Sequence, residues 1–262
     1  MLKDKHIWIT GASSGIGEAL ARELSQQGAR LILSARRQEK LEEVKATCHE
    51  PARHIVLPLD LAETDTHEEK VKEALAQAGH IDIVVHNGGI SQRALVKDTD
   101  ISIDRKIMEV NFFGTVSLTK AILPHMLERK TGHFVVVSSL VGKFGTPLRS
   151  AYSASKHALH GFFESMQAEV YQDNIDITMV CPGFIQTEIS TKALRGDGSA
   201  HATMDNALAG GMPASACAKK IAKAIRKRSP ELIVGGRETI GVQVKRFLPS
   251  VFRRMIRRIK VT

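Results

Sequence analysis

Ile7-Trp8-Ile9-Thr10-Gly11-Ala12-Ser13-Ser14-Gly15-Ile16-Gly17 is an apolar run that turns through three glycines into a stretch carrying Ala19, Leu20, Ala21 and Leu24. An apolar run of strand length that ends in glycines and continues with helical spacing reads as the first strand and helix of a parallel α/β sheet. Glycines at that turn let the backbone approach a pyrophosphate, and the positive end of the following helix favours its charge. Tight turns also need glycine for steric reasons alone, so the assignment draws its weight from the rest of the chain.

Six more apolar runs follow: Leu31 to Ser34, Ile55 to Leu59, Ile81 to Val85, Phe134 to Val137, Ile177 to Val180 and Leu232 to Val234. Continuous and mostly β-branched or Leu-rich, they read as strands buried on both faces. Between them apolar residues recur at three- and four-residue spacing, as in Leu41, Val44 and Cys48, or Val71, Ala74, Leu75 and Ala78. Seven strands alternating with six helices predict a doubly wound parallel sheet with helices on both faces. The unit spans residues 1–236 without a repeat or linker, and residues 237–262 form an extension. Residues 187–212, rich in Gly, Ala, Ser and Asp and without a clear element, are a candidate substrate lid.

A chain of 262 residues with 43% hydrophobic content can fill one large core. Cys48, Cys181 and Cys217 are odd in number and far apart, which predicts reduced thiols and no metal site. No apolar run approaches the roughly 18 residues of a transmembrane helix, and no signal-peptide pattern precedes Ile7. The expectation is a cytoplasmic protein, at most peripheral to a membrane. The net charge of +9 lies mostly in residues 237–262, where eight Lys and Arg face Glu238 alone. A near-neutral body with a basic end argues against nucleic acid and for a local surface contact.

At the end of the second strand a carboxylate would bond the ribose of NAD, but this chain has Ser34-Ala35-Arg36-Arg37. Arginine suits a 2′-phosphate, so NADP(H) is expected in preference to NAD(H). Capping of the next helix by Arg36 and Arg37 is the alternative, and a cation at a helix N-terminus opposes the dipole. Asp60-Leu61 after the third strand suits the adenine, and Asn87-Gly88-Gly89 after the fourth gives a backbone that can lie flat against the ribose.

The sharpest signal is Tyr152-Ser153-Ala154-Ser155-Lys156, since residues four apart on a helix share a face. A cation beside a phenol favours the phenolate and lowers its pKa, making Tyr152 a candidate general acid and base. Ser139 ends the fifth strand, where a hydroxyl can hold a substrate oxygen, with Ser138 as its rival.

With these residues in order, the chain resembles the short-chain dehydrogenase/reductase family, in its classical-length branch, from about Lys5 to Gly235. The match comprises Thr-Gly-x3-Gly-x-Gly at 10–17, Asn87-Gly88, Asn111, Ser139, Tyr152 with Lys156, and Pro182-Gly183-x3-Thr187. The resemblance implies a Rossmann fold and selects Ser139 over Ser138. It also implies that Asn111 holds a water in a proton relay, that Lys156 binds the ribose and tunes Tyr152, and that Ile185 and Thr187 meet the nicotinamide carboxamide. A homodimer or homotetramer follows from it as well. His86 stands where the family usually has asparagine and reads as a strand-end histidine rather than a catalytic one. Asn87 to Arg93, Pro124-His125-Met126 and Ser155 to Leu159 further resemble membrane-associated reductases near the hydroxysteroid and retinol dehydrogenases.

Leu140, Val141, Phe144, Leu148, Phe184, Met204 and Leu208 are expected to line a pocket, which suits a lipophilic ketone or aldehyde. In the extension, Leu248, Val251, Phe252, Met255, Ile256 and Ile259 share one helical face and Arg253, Arg254, Arg257 and Arg258 the other, with Pro249 suited to the first turn. Such a helix docks on the body or a second subunit, or lies on an anionic membrane surface. The reading is a metal-independent carbonyl reductase. A 3-oxoacyl thioester reductase and a non-catalytic NADP-binding redox sensor are its alternatives.

Overall fold

The computed structural model describes residues 2–258. Seven parallel strands form one sheet: β1 His6–Thr10, β2 Arg30–Ser34, β3 Ile55–Val56, β4 Ile83–His86, β5 Gly132–Val137, β6 Ile175–Pro182 and β9 Glu231–Val234. Their order is β3-β2-β1-β4-β5-β6-β9, and a second, two-stranded sheet pairs β7 Ile185–Gln186 with β8 Met212–Pro213. The chain builds outward from β1 through β2 to β3 and then returns to lay β4 against the other edge of β1. That reversal opens a crevice at the carboxyl ends of β1 and β4, the place where such sheets bind ligands.

The period-two strand geometry divides the core. Ile7 and Ile9 of β1 face one side with Leu31 and Leu33, while Trp8 and Ile32 face the other. The first side is covered by α1 Gly15–Gln26, α2 Gln38–Ala46 and α8 Ala214–Lys227, through Leu20, Leu24, Leu41, Ile221 and Ile225. The second is covered by α3 His67–Ala78, α5 Gly114–Arg129 and α6 Ser150–Val170, through Val71, Leu118, Ile122, Leu159 and Phe163. Trp8 is fully buried, and its indole N–H is satisfied by the Ser34 hydroxyl at 2.8 Å.

Three expectations are revised. The third strand is regular over Ile55–Val56 rather than to Leu59, although Leu57 and Leu59 N–H still donate to the Leu33 and Ala35 carbonyls and Pro58, between them, turns its nitrogen to the open edge. Helices beyond the six expected appear among the described residues, including α4 Ile101–Met108, the short α7 Asn206–Ala209 and α9 Ile240–Phe247, while the expected C-terminal helix is α10 Pro249–Ile256. Residues 187–212 are not structureless: they hold α7 and bridge to Gln92 through Leu194, and their last residue begins β8.

The extension docks. Phe252 is 7% exposed and meets Phe144 at a ring-centroid distance of 5.1 Å, with Leu140 and Cys181 in the same cluster. Pro249 occupies the first turn of α10 as its sequence position suggested. Leu248, Val251 and Met255 stay 56%, 50% and 40% exposed, so only part of the apolar stripe is covered. Ile259 lies outside the described residues.

Candidate active site

The glycine turn and the end of β4 are laced into one surface. The Thr10 hydroxyl accepts from the backbone N–H of Asn87 at 3.1 Å and of Gly88 at 3.0 Å. The Asn87 amide donates to the Thr10 and Gly11 carbonyls at 3.0 and 3.1 Å. Gly11, at φ +65°, would carry a Cβ only 2.7 Å from Gly88 Cα, and a Cβ on Gly17 would lie 2.3 Å from the Gly11 carbonyl oxygen. A Cβ on Gly15, at φ +60°, would meet the Thr187 methyl at 3.0 Å, so Thr187 lies over the turn. The result is a bare backbone cradle that side chains would fill, at the N-terminus of α1, where Ser14 makes no side-chain cap. This fits a dinucleotide phosphate.

Leu61 forms the floor beside the cradle, with its methyl 2.6 Å from a Cβ on Gly88, and Asp60 accepts from Ala62 N at 3.0 Å. Arg36 and Arg37 are exposed at the end of β2, and the Arg37 side chain makes no cap on α2. Lys192 and, more weakly, Arg37 and Lys40 hold the Glu188 carboxyl below its ordinary range, so Arg37 already shares its charge with the protein. Gly183 N donates to Val234 O at 2.7 Å beyond Pro182, which fixes the end of β6. The Ile185 side chain is 2% exposed within the core, so any contact it makes with a cofactor is through its main chain. Ser13 and Ile16 flank the turn, with Ile16 packed on the core.

Helix α6 carries Tyr152 and Lys156, both buried, and the end of β5 carries Ser139. Ser138 turns away, donating to the Lys156 carbonyl at 3.2 Å, whereas Ser139 lines one cavity with Tyr152. Burial pushes the Tyr152 phenol above its ordinary pKa. Against it act Arg149, the hydrogen bond with Ser139, and Arg93. This corrects the expectation of a phenol lowered by Lys156, since desolvation of the whole ring outweighs the nearby cations. The Lys156 ammonium donates to Val137 O at 2.8 Å and lies 5.8 Å from the Tyr152 ring centroid. Burial lowers its pKa to about 8.

Asn111 sits in a π-helical turn, Glu109–Phe113, between α4 and α5. Its amide oxygen accepts from Ile90 N at 2.8 Å, and its nitrogen donates to Ile90 O at 2.9 Å and to Ser155 at 3.0 Å. The side chain therefore positions the segment following Gly89 against α6. His86 is stacked on Phe134, contacts the Thr119 hydroxyl at 2.9 Å, and burial lowers its pKa to about 3. It is a neutral core histidine.

The cavity holds about 500 Å³. Its wall includes the expected Leu140, Val141, Phe144, Phe184 and Leu208, with Ser139 and Tyr152 at one end. Met204 and Leu148 do not line it. Met204 is 39% exposed because its neighbour Asp205, in extended backbone, turns inward, so the two side chains point opposite ways. Leu148 holds φ +65° and belongs to the turn that accepts from Ala94 N. Sequence reasoning missed the contributions of Val244, Phe252 and Met255 from the extension, and of Arg93 and Arg149. The amphipathic stripe of the extension was a usable signal for the first group; the arginines gave none.

Residues 5–197 match the family model described as short chain dehydrogenase. A "Dehydrogenase/reductase SDR family protein 7-like" of Drosophila melanogaster is 44% identical over 96% of this chain and 79% of its own length. The human "Dehydrogenase/reductase SDR family member 7" is 48% identical over 75% of this chain and 60% of its own. Among solved structures, a short-chain dehydrogenase from Streptomyces avermitilis superposes with a TM-score of 0.82 at 29% identity, covering 97% of this chain and 96% of that one. One from Burkholderia phymatum in complex with NAD gives 0.84 at 20% identity, covering 95% of each, a likeness of fold alone.

Proposed function

Because the chain belongs to the short-chain dehydrogenase/reductase family, we propose that it is an NADP(H)-dependent carbonyl reductase of lipophilic ketones or aldehydes. It is an oxidoreductase of the CH–OH/C=O type with a nicotinamide cofactor. The observation that carries the finer reading is a mainly apolar cavity of about 500 Å³ that ends at Tyr152 and Ser139.

A nicotinamide dinucleotide whose phosphate the glycine cradle would hold would supply a hydride to the carbonyl carbon, or take one from an alcohol. The Ser139 hydroxyl holds the substrate oxygen, and Tyr152 delivers a proton to it during reduction. In oxidation the Tyr152 phenolate removes that proton. Lys156 anchors the ribose side of the crevice, and Phe144, Phe184 and Phe252 exclude water from the reacting end.

Cofactor choice rests on Arg36 and Arg37, which stand where a ribose-binding carboxylate would be needed for NAD. Fluorescence titration of NADPH and NADH against wild type and Arg36→Ala is the test. Tighter NADPH binding that weakens by about tenfold or more in the variant, with NADH unaffected, is the expected result. Equal binding of both dinucleotides by the wild type would move the reading to an NAD-linked alcohol dehydrogenase. A 3-oxoacyl reductase would instead turn over acetoacetyl thioesters.

The substrate enters, in this reading, from an anionic lipid surface. Phe247, Leu248, Val251 and Met255 are exposed, Met255 also lines the cavity, and Lys245, Arg246, Arg253, Arg254, Arg257 and Arg258 flank them. The one acidic residue of the extension, Glu238, is turned inward and accepts from Phe184 N and Gly236 N at 2.9 Å. Two copies meeting face to face here would oppose like charges, which disfavours self-association. No helix of the described residues is long and apolar enough to cross a membrane. Cosedimentation with phosphatidylserine-containing vesicles, lost in Val251→Glu and weakened by salt, is expected. Absence of binding, with a dimer that Val251→Glu dissociates, would assign the stripe to a second copy.

A further inference from the structure

Two arginines and one aspartate, from three separate parts of the chain, meet at the catalytic end of the cavity. Arg93 follows β4, Arg149 precedes α6 as its N-cap, and Asp205 belongs to residues 187–212. The Asp205 carboxylate accepts from Arg93 Nε at 3.0 Å and from Arg149 Nη2 at 3.0 Å. Its own backbone N–H donates to the Ser190 hydroxyl at 3.1 Å. Arg93 also donates to the Ser91 hydroxyl at 2.9 Å and the Gln92 carbonyl at 2.6 Å. The three side chains are 2%, 9% and 0% exposed, an expensive placement for charged groups that are only holding a loop.

Both arginines line the cavity with Tyr152, and Tyr152 lies in the first turn of the helix that Arg149 caps. We infer that Arg149 and Arg93, held in place by Asp205, are positioning residues that stabilise the Tyr152 phenolate, so that the proton-transfer group is set only when residues 187–212 are seated. The inference deepens the reading of Tyr152 as proton carrier and rests on it. Lys156, the cation that four-residue spacing puts on the same helix, points its ammonium at the Val137 carbonyl and loses charge near pH 8. The Arg149 guanidinium keeps its charge further: burial lowers it only to about 10, so it stays charged across the neutral range in which the proton is passed. The first-turn N–H groups of α6 add to the same field.

The other charged or titratable groups around Tyr152 do not substitute for the pair. Arg237 and Glu238 line the same cavity from the extension, with the Glu238 carboxylate committed to backbone N–H groups. His201 Nε2 stands 3.8 Å from Asp205 Oδ1, whereas the two arginines share Oδ2. Cys181 beside Lys156 is a neutral thiol, pushed up to about 12 by burial.

The chain has two tyrosines, Tyr152 and Tyr171, so in a Tyr171→Phe background the tyrosinate absorbance reports Tyr152 alone, without substrate or cofactor. Arg149→Met in that background is expected to move the titration midpoint to higher pH, cutting the tyrosinate fraction at a fixed pH below it by on the order of tenfold. Arg93→Met moves it the same way, Arg149→Lys restores it, and the surface variant Arg226→Met leaves it unchanged. Should Arg149→Met fail to fold by circular dichroism, Arg93→Met carries the test from a different loop. An unmoved midpoint in a folded Arg149→Met or Arg93→Met protein overturns the inference. Activity retained by Tyr152→Phe would instead overturn the underlying reading and leave this titration intact.

Discussion

Tyr152→Phe is expected to lower kcat by about 10²- to 10⁴-fold while dinucleotide affinity stays within about twofold. The ring is 9% exposed and keeps its packing in the variant, so what is lost is the hydroxyl facing Ser139. The proton then has no donor at the substrate oxygen, and the developing charge must be met by Ser139 alone. Steady-state kinetics and fluorescence titration on one preparation separate the two effects. A non-catalytic redox sensor would show neither, because a protein that only reports dinucleotide binding has no proton to move.

Gly11→Val should nearly abolish dinucleotide binding, with affinity lower by at least about 10²-fold, a loss of about 2.7 kcal/mol. Two separate costs converge at this position. The backbone is at φ +65°, which β-branched residues resist, and the new Cβ would fall 2.7 Å from Gly88 Cα and 2.9 Å from the Asn87 amide. Neither neighbour can yield without breaking the bonds from Asn87 and Gly88 to Thr10 that close the cradle. Gly145→Ala is the matched control, since nothing lies within 4 Å of a Cβ there. Normal dinucleotide titration of a folded Gly11→Val protein would show that the phosphates bind elsewhere.

How far the sequence could be read depended on whether neighbours in the chain or distant segments made the contact. The first strand, glycine turn and helix were legible because apolar period, turn chemistry and helix spacing agree within residues 7–24. Tyr152 and Lys156 were legible for the same reason, as a four-residue spacing on one helix. The electrostatics around them were not. Whether Lys156 lowers the phenol depends on where its ammonium points, and the Val137 carbonyl that takes it comes from β5. The Arg93, Arg149 and Asp205 cluster joins residues up to 112 positions apart, and no local pattern announces it. Strand ends were less legible: the apolar run of the third strand continues to Leu59, whereas its regular pairing stops at Val56. Met204 was misplaced because one step along extended backbone reverses a side chain, and Asp205 took the inward position.

The amphipathic extension shows a different limit. Its period located the helix, but a stripe says only that one face is apolar. The structure divides it, burying Phe252 at 7% exposure against Phe144 and leaving Val251 at 50%. Phe252 from the buried half and the partly exposed Met255 line the cavity, while Leu248 and Val251 stay at the surface.

The most direct test is turnover by the purified wild type with NADPH against a panel that spans lipophilic ketones and aldehydes, small polar ketones and acetoacetyl thioesters. Oxidation of NADPH with the lipophilic members, at kcat/KM values about tenfold or more above those for the polar ones, is the expected result. Turnover confined to the small polar ketones or to the thioesters would contradict it.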